Sequence, residues 1–202
     1  MDFSDEMIKK SNVLVKTLEK YISILEEQKE TLDEIYKNIE NAKAIHTWGK
    51  GRSGTAAVAL ALRLKQFGYN VWFIGDTIKE PIRRGDVVIL FSGSGETAEI
   101  VDVAKKARRD EATVISITSY KESELAKFSD LIFWLPGGME KKKGWDYLEA
   151  QLTNKKQPFY GGGEFELLAY LFQESFVNSI GSYKGISQGK IAKEHERDET
   201  IS

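Results

Sequence analysis

The sequence predicts an α/β fold: a three-layer α-β-α sandwich around a five-stranded parallel sheet. Three observations predict it. Val87-Val88-Ile89-Leu90-Phe91 is an unbroken apolar run, the pattern of a strand buried on both faces. Between residues 44 and 136, short β-branched runs alternate with segments of helical spacing, as in strands joined by crossover helices. Two of the strands run straight into Gly/Ser-rich turns that open helices, at 49–55 and 92–97. In a doubly wound sheet of flavodoxin-like order 2-1-3-4-5, strands 1 and 3 flank the switch point, and loops of this kind meet at the crevice between them.

The elements follow in order. Residues 3 to about 41 contain no Gly or Pro, and Met7, Ile8, Val13, Leu14, Leu18, Tyr21, Ile22 and Leu25 recur at helical spacing, followed by Leu32, Ile35, Tyr36 and Ile39. They read as two helices, or one broken near Gln28, which either clasp a neighbouring subunit or cover one edge of the sheet. Ala44–Trp48 is the first strand; its His46 reads as structural. A helix from Ala56 to Phe67 ends at Gly68, in the position glycine prefers after a helix. Asn70–Ile74 is the second strand and Val87–Phe91 the third. A helix from Glu96 to Arg109 leads to the fourth strand, Thr113–Thr118, and a helix from Glu122 to Phe128 leads to the fifth, Leu131–Leu135. From 137 to 160 the pattern dissolves into a loop with one helical turn around Tyr147 to Leu152. Its run Lys141-Lys142-Lys143 is a solvated face, or part of a lid or subunit contact if Trp145 and Tyr147 pack. An apolar helix from Glu164 to Ile180 and a charged one holding Ile191 and His195 close the chain.

Composition narrows the function. The 202 residues suit a single domain with appendages: helices over 1–41, core over 42–136, a loop over 137–160 and helices over 161–202. Lys+Arg at 29 against Asp+Glu at 31 gives no basic excess to attract nucleic acid. The chain has no cysteine, which removes disulfides, thiolate nucleophiles and cysteine-type zinc sites. No apolar stretch approaches the ~20 residues of a membrane helix, and Met1-Asp2-Phe3-Ser4-Asp5-Glu6 is not a signal peptide. A cytoplasmic location, with no membrane and no nucleic-acid partner, is the expectation.

The chemistry lies in the two loops. Ser92-Gly93-Ser94-Gly95-Glu96-Thr97 combines free backbone N–H groups, a helix N-terminus and three hydroxyls, which suits a phosphate monoester held by Ser92, Ser94 and Thr97. Gly49-Lys50-Gly51-Arg52-Ser53-Gly54 satisfies G-x-G-x-x-G, and Asp76 ends the second strand where a dinucleotide fold places its ribose-binding acid. A nucleotide-binding domain is therefore a competing reading. Against it stand the second Gly/Ser loop and the hydroxyls of Ser53, Thr55, Ser92, Ser94 and Thr97, more than a pyrophosphate approached by bare glycine backbone requires.

Gly51-Arg52-Ser53-Gly54, the loop 92–97 and Ser129-Asp130 resemble the sugar isomerase (SIS) domain family. Within it, Phe165-Glu166, the overall length and His195 resemble the 6-phospho-3-hexuloisomerases. The resemblance runs from about residue 30 to 198. It implies interconversion of D-arabino-hex-3-ulose 6-phosphate and fructose 6-phosphate, no metal and no cofactor. It also implies a homo-oligomer, tetramer or dimer, with active sites shared between subunits. By match to the family's motifs, Ser53, Ser92, Ser94 and Thr97 hold the phosphate with the backbone at Gly51 and Gly93. Glu166 is the base, and His195 is the histidine that reaches the shared site.

Moving a carbonyl to the adjacent carbon requires one group to take a proton from carbon and return it; a carboxylate of raised pKa does both. At Glu166, burial raises the pKa and the helix N-terminus opposes the rise. Glu164 is the rival base. Arg52 contacts either the phosphate or an enediolate oxygen. The family's usual Pro-Met-Gly-Thr before Phe-Glu is replaced here by Tyr160-Gly161-Gly162-Gly163-Glu164. Other ketose or aldose phosphate isomerases, and a non-catalytic module that binds a sugar phosphate, stand as alternatives.

Overall fold

The computed structural model describes residues 2–141, 148, 149, 152, 159 and 163–199. Its centre is a five-stranded, all-parallel sheet of order β2-β1-β3-β4-β5, with β1 Ile45–Gly49, β2 Val71–Phe73, β3 Val87–Phe91, β4 Thr113–Thr118 and β5 Leu131–Trp134. The helices in chain order are α1 Phe3–Glu19, α2 Tyr21–Glu26, α3 Lys29–Asn41, α4 Arg52–Gln66, α5 Ala98–Arg109, α6 Gly163–Tyr183 and α7 Gln188–Glu199.

The apolar run of β3 behaves as its composition requires. Val87, Ile89 and Phe91 face one layer with Ile35 and Ile39 of α3, Leu60 and Leu64 of α4, and Phe165, Leu168 and Phe172 of α6. Val88 and Leu90 face the other, with Ile100, Val101 and Ala104 of α5. Side chains alternate across a strand, so a central strand covered on both faces has no polar position to offer. Because α4 lies in one layer and α5 in the other, the chain leaves β1 and β3 in opposite directions. The crevice at the carboxyl ends of these two strands is the switch point.

Several expected boundaries are corrected. The N-terminal region forms three helices rather than two, with breaks at Lys20 and near Gln28. Helix α4 begins at Arg52, not Ala56, because Gly51 at φ 62° turns the chain and its carbonyl accepts from Gly54 N at once. Helix α5 begins at Ala98, not Glu96, because the Glu96 side chain is turned away to accept from Glu124 N. The helix expected over 122–128 is only a 3₁₀ turn, Ala126–Phe128; the Ser123 hydroxyl and the Gly95 carbonyl take up its first N–H groups. His46 is buried in β1 and bonded to Asp86 (3.1 Å), the structural position expected of it. Most of the turn expected around 147–152, with Lys142, Lys143, Trp145 and Tyr147, lies outside the described residues.

The break between α2 and α3 has a purpose. Trp134 of the edge strand β5 points its N–H and C=O away from β4. The Gln28 amide fills both: Trp134 N donates to Gln28 Oε1 (2.8 Å) and Gln28 Nε2 donates to Trp134 O (2.9 Å). One side chain thus continues the sheet and closes an edge open to wrong pairing. Gln28→Ala leaves a part-buried donor and acceptor unmet, and is expected to lower unfolding stability by ~1–3 kcal/mol. Gln28→Glu restores only the acceptor and remains destabilised; denaturant titration of both variants checks this.

Candidate active site

The loop after β3 is shaped by its own hydroxyls. Ser92 Oγ accepts from Gly95 N (3.2 Å) and Ser94 Oγ accepts from Glu96 N (3.2 Å). Ser92 Oγ also donates to Thr97 Oγ1 (3.4 Å), a long contact that brings the two hydroxyls together. Thr97 occupies the N-cap position of α5, but its side chain makes no cap hydrogen bond. The loop therefore presents Ser94 and Thr97 at a helix N-terminus, with the buried Ser92 hydroxyl directly behind Thr97, an arrangement suited to an anion. Gly95 turns the loop with φ 66°, and a side chain there would strike Ser123.

The loop after β1 is shorter than expected, since Arg52 and Ser53 already belong to α4. Gly49 and Gly54 are spent on close packing. A Cβ on Gly54 would stand 2.7 Å from the Gly49 carbonyl oxygen, and one on Gly49 2.8 Å from that of Ser53. Strand and helix approach too closely for a side chain at either, and Gly51 turns the chain at φ 62°, which together explain the G-x-G-x-x-G match without a ligand.

The N-terminus of α6 touches both loops through adjacent residues. A Cβ at Gly93 would lie 2.9 Å from the Phe165 ring, so the ring rests on bare loop backbone. Glu166, next along, accepts from Ser53 Oγ at Oε1 (3.2 Å), and its Oε2 stands 2.8 Å from Arg52 Nε. That second contact is an ion pair without hydrogen-bond alignment, since among the described residues no donor is directed at Oε2. The Glu166 side chain is 17% exposed and that of Arg52 63% exposed. Burial pushes the Glu166 carboxyl above the ordinary glutamate value, and the Arg52 charge and the Ser53 hydrogen bond only partly offset it.

The remaining candidates divide. Glu164, the rival base, packs against Gly137, where a Cβ would lie 2.4 Å from its own Cβ. His195 falls on α7, and its side chain lies outside what the structure describes, as do Gly161 and Gly162. Asp76 is exposed in the turn after β2. Among the described residues, no group of three or more His, Asp or Glu side chains converges as metal ligands would, and no helix is long and apolar enough to cross a membrane.

Sequence reasoning missed the wall behind Gly93. Tyr120 OH donates to Gly138 O (2.9 Å), Gly138 N donates to Ser119 Oγ (2.8 Å), and Gly138 lies against the Gly93 carbonyl. The Gly137-Gly138 pair was the only signal, and it marked a loop without showing what the loop approaches.

A doubly wound parallel sheet, with two hydroxyl-bearing loops and a half-buried carboxylate at its switch point, places the chain in a narrow class of α/β proteins. Residues 38–157 match the SIS domain, and the chain belongs to that family. It is 33% identical over 181 residues to an uncharacterized protein of Archaeoglobus fulgidus, covering 90% of this chain and 92% of that one. It is 31% identical over 166 residues to the 3-hexulose-6-phosphate isomerase of Bacillus subtilis, covering 82% and 85%. A crystal structure of a Methanococcus jannaschii protein, for which a molecular function of 3-hexulose-6-phosphate isomerase is inferred, superimposes with a TM-score of 0.73 at 30% identity, covering 95% and 97%. The protein is thus a phosphosugar-isomerase-like member of the SIS family.

The raised pKa of Glu166 has a consequence for stability. A carboxyl that binds its proton more tightly when folded destabilises the fold above its folded pKa, and the cost is relieved as pH falls through that value. Glu166→Gln is therefore expected to melt at a higher temperature than the wild type at neutral pH. The gap narrows as the solution is acidified into the range where Glu166 protonates; thermal melts across pH check both.

Proposed function

We propose that the protein is a sugar-phosphate isomerase that interconverts 3-hexulose 6-phosphate and fructose 6-phosphate through an enediol. One observation carries the reading: Glu166 meets Ser53 and Arg52 while its neighbour Phe165 rests on Gly93. The carboxylate therefore stands where the two loops converge. The relative from Bacillus subtilis, named for this reaction, supports the choice of substrate.

In this reading the phosphate is held by the hydroxyls of Ser53, Ser92, Ser94 and Thr97 and by backbone N–H groups at Gly51 and Gly93. Glu166 takes the proton from C2 of the 3-ketose, leaving the C2–C3 enediol, and returns it to C3 as the C2 carbonyl forms. Burial makes the carboxylate a stronger base than an exposed one, so one group serves in both directions. Arg52 places its positive charge beside Oε2, where an enediolate oxygen develops. His195 moves the proton between O2 and O3. The chain acts as a single SIS domain in a homo-oligomer with shared sites. Phe3, Met7 and Ile8, which α1 exposes on an otherwise ordinary amphipathic helix, support that assembly.

Glu166→Gln is expected to lower kcat for 3-hexulose 6-phosphate by ~10²-fold or more, with fructose 6-phosphate still bound. Full activity in that variant would remove Glu166 from its role. Ser92→Ala and Thr97→Ala are each expected to weaken fructose 6-phosphate binding by about tenfold, read by calorimetry. Unchanged affinity in both would place the phosphate elsewhere.

A further inference from the structure

Lys50 sits between Gly49 and Gly51 in the turn after β1. Its ammonium group pairs with the carboxylate of Glu99. Glu99 lies in the first turn of α5, two residues past Thr97. The pair therefore bridges the two loops across the mouth of the crevice. Both side chains are more than half exposed, 57% for Lys50 and 51% for Glu99. Exposed pairs of this kind contribute little to stability and exchange partners readily.

Glu99 is placed as a bound anion would be. Its carboxylate is held ionised first by Lys50 and then by its own backbone N–H at the helix N-terminus, with Lys141 adding a further positive charge. That is the combination of helix N-terminus and cation that an incoming phosphate would use.

We infer that Lys50 is a phosphate-recognition residue, and that the Glu99 carboxylate is a resting anion from which the substrate's phosphate takes it over. The inference rests on the phosphate site proposed above. Glu99 then acts against binding twice: it competes for Lys50, and it repels the phosphate dianion.

A purely structural bridge and a recognition role make opposite predictions for the two partners. If the pair only ties the loops together, removing either end loosens the crevice and weakens binding. If Lys50 is shared with the phosphate, removing the two ends has effects of opposite sign. Calorimetric binding of fructose 6-phosphate and of inorganic phosphate is measured for wild type, Lys50→Met, Lys50→Arg and Glu99→Gln, with melts of the free proteins to confirm folding.

Lys50→Met is expected to weaken both ligands roughly tenfold. Lys50→Arg retains most of the affinity, and Glu99→Gln tightens binding about threefold at low salt. Added salt shrinks the differences. Equal weakening by Lys50→Met and Glu99→Gln, or no change in either, overturns the role of Lys50 while leaving the phosphate site standing. Failure of the wild type to bind either ligand overturns the site itself, and this inference with it.

Discussion

The packing of Phe165 on Gly93 is the contact on which the rest of the site depends. Phe165 is buried, and its ring lies where any side chain at Gly93 would be. Helix α6 is held to the sheet by Leu168, Ala169, Phe172, Phe176, Val177 and Ile180, spaced as one face of a helix. Phe172 meets Phe133 with ring centroids 4.6 Å apart and Phe91 at 6.5 Å. That apolar face fixes how far α6 extends toward the loops. Its first turn then has no freedom to withdraw, and Glu166 is carried into the crevice between Ser53 and Arg52.

The pKa of Glu166 follows from this placement. The helix N-terminus and Arg52 both favour the anion, and Ser53 donates to it. Burial is nonetheless the largest effect, and the net displacement is upward. Arg52 stabilises the anion less than its 2.8 Å contact suggests, because its side chain is 63% exposed and water screens its charge. The carboxylate is left charged but poorly compensated, which is the condition of a good base.

Much of the fold was legible in the residues. β3 and β4, and the burial of β3 on both faces, follow from β-branched runs bounded by Gly and Asp, whereas the strand order rested on the resemblance to a doubly wound family. The element types were right where the hydrophobic period was long, as in α4, α5 and α6. The failures were local. The segment 122–128 has helix-compatible composition, but it is shortened to a single 3₁₀ turn because Ser123 and Gly95 claim its backbone groups. The N-terminal break at Gln28 was visible as a polar patch. That its amide completes the edge of β5 was not, because the partner Trp134 is more than a hundred residues away. The site was half legible: each loop announced itself through Gly and Ser, yet neither the Lys50–Glu99 bridge nor the Gly138–Tyr120 wall has any local signature. Both are contacts between loops brought together only by the sheet.

Burial between the two loops holds Glu166 as a carboxyl of raised pKa. Carbon-13 NMR titration of the glutamate side-chain carboxyls, with Glu166 assigned by the Glu166→Gln variant, measures it directly. The expected midpoint lies above the ordinary glutamate value of 4.5 and moves higher still when Arg52 is replaced by Gln. A midpoint at or below 4.5, or one that does not respond to loss of Arg52, would contradict it.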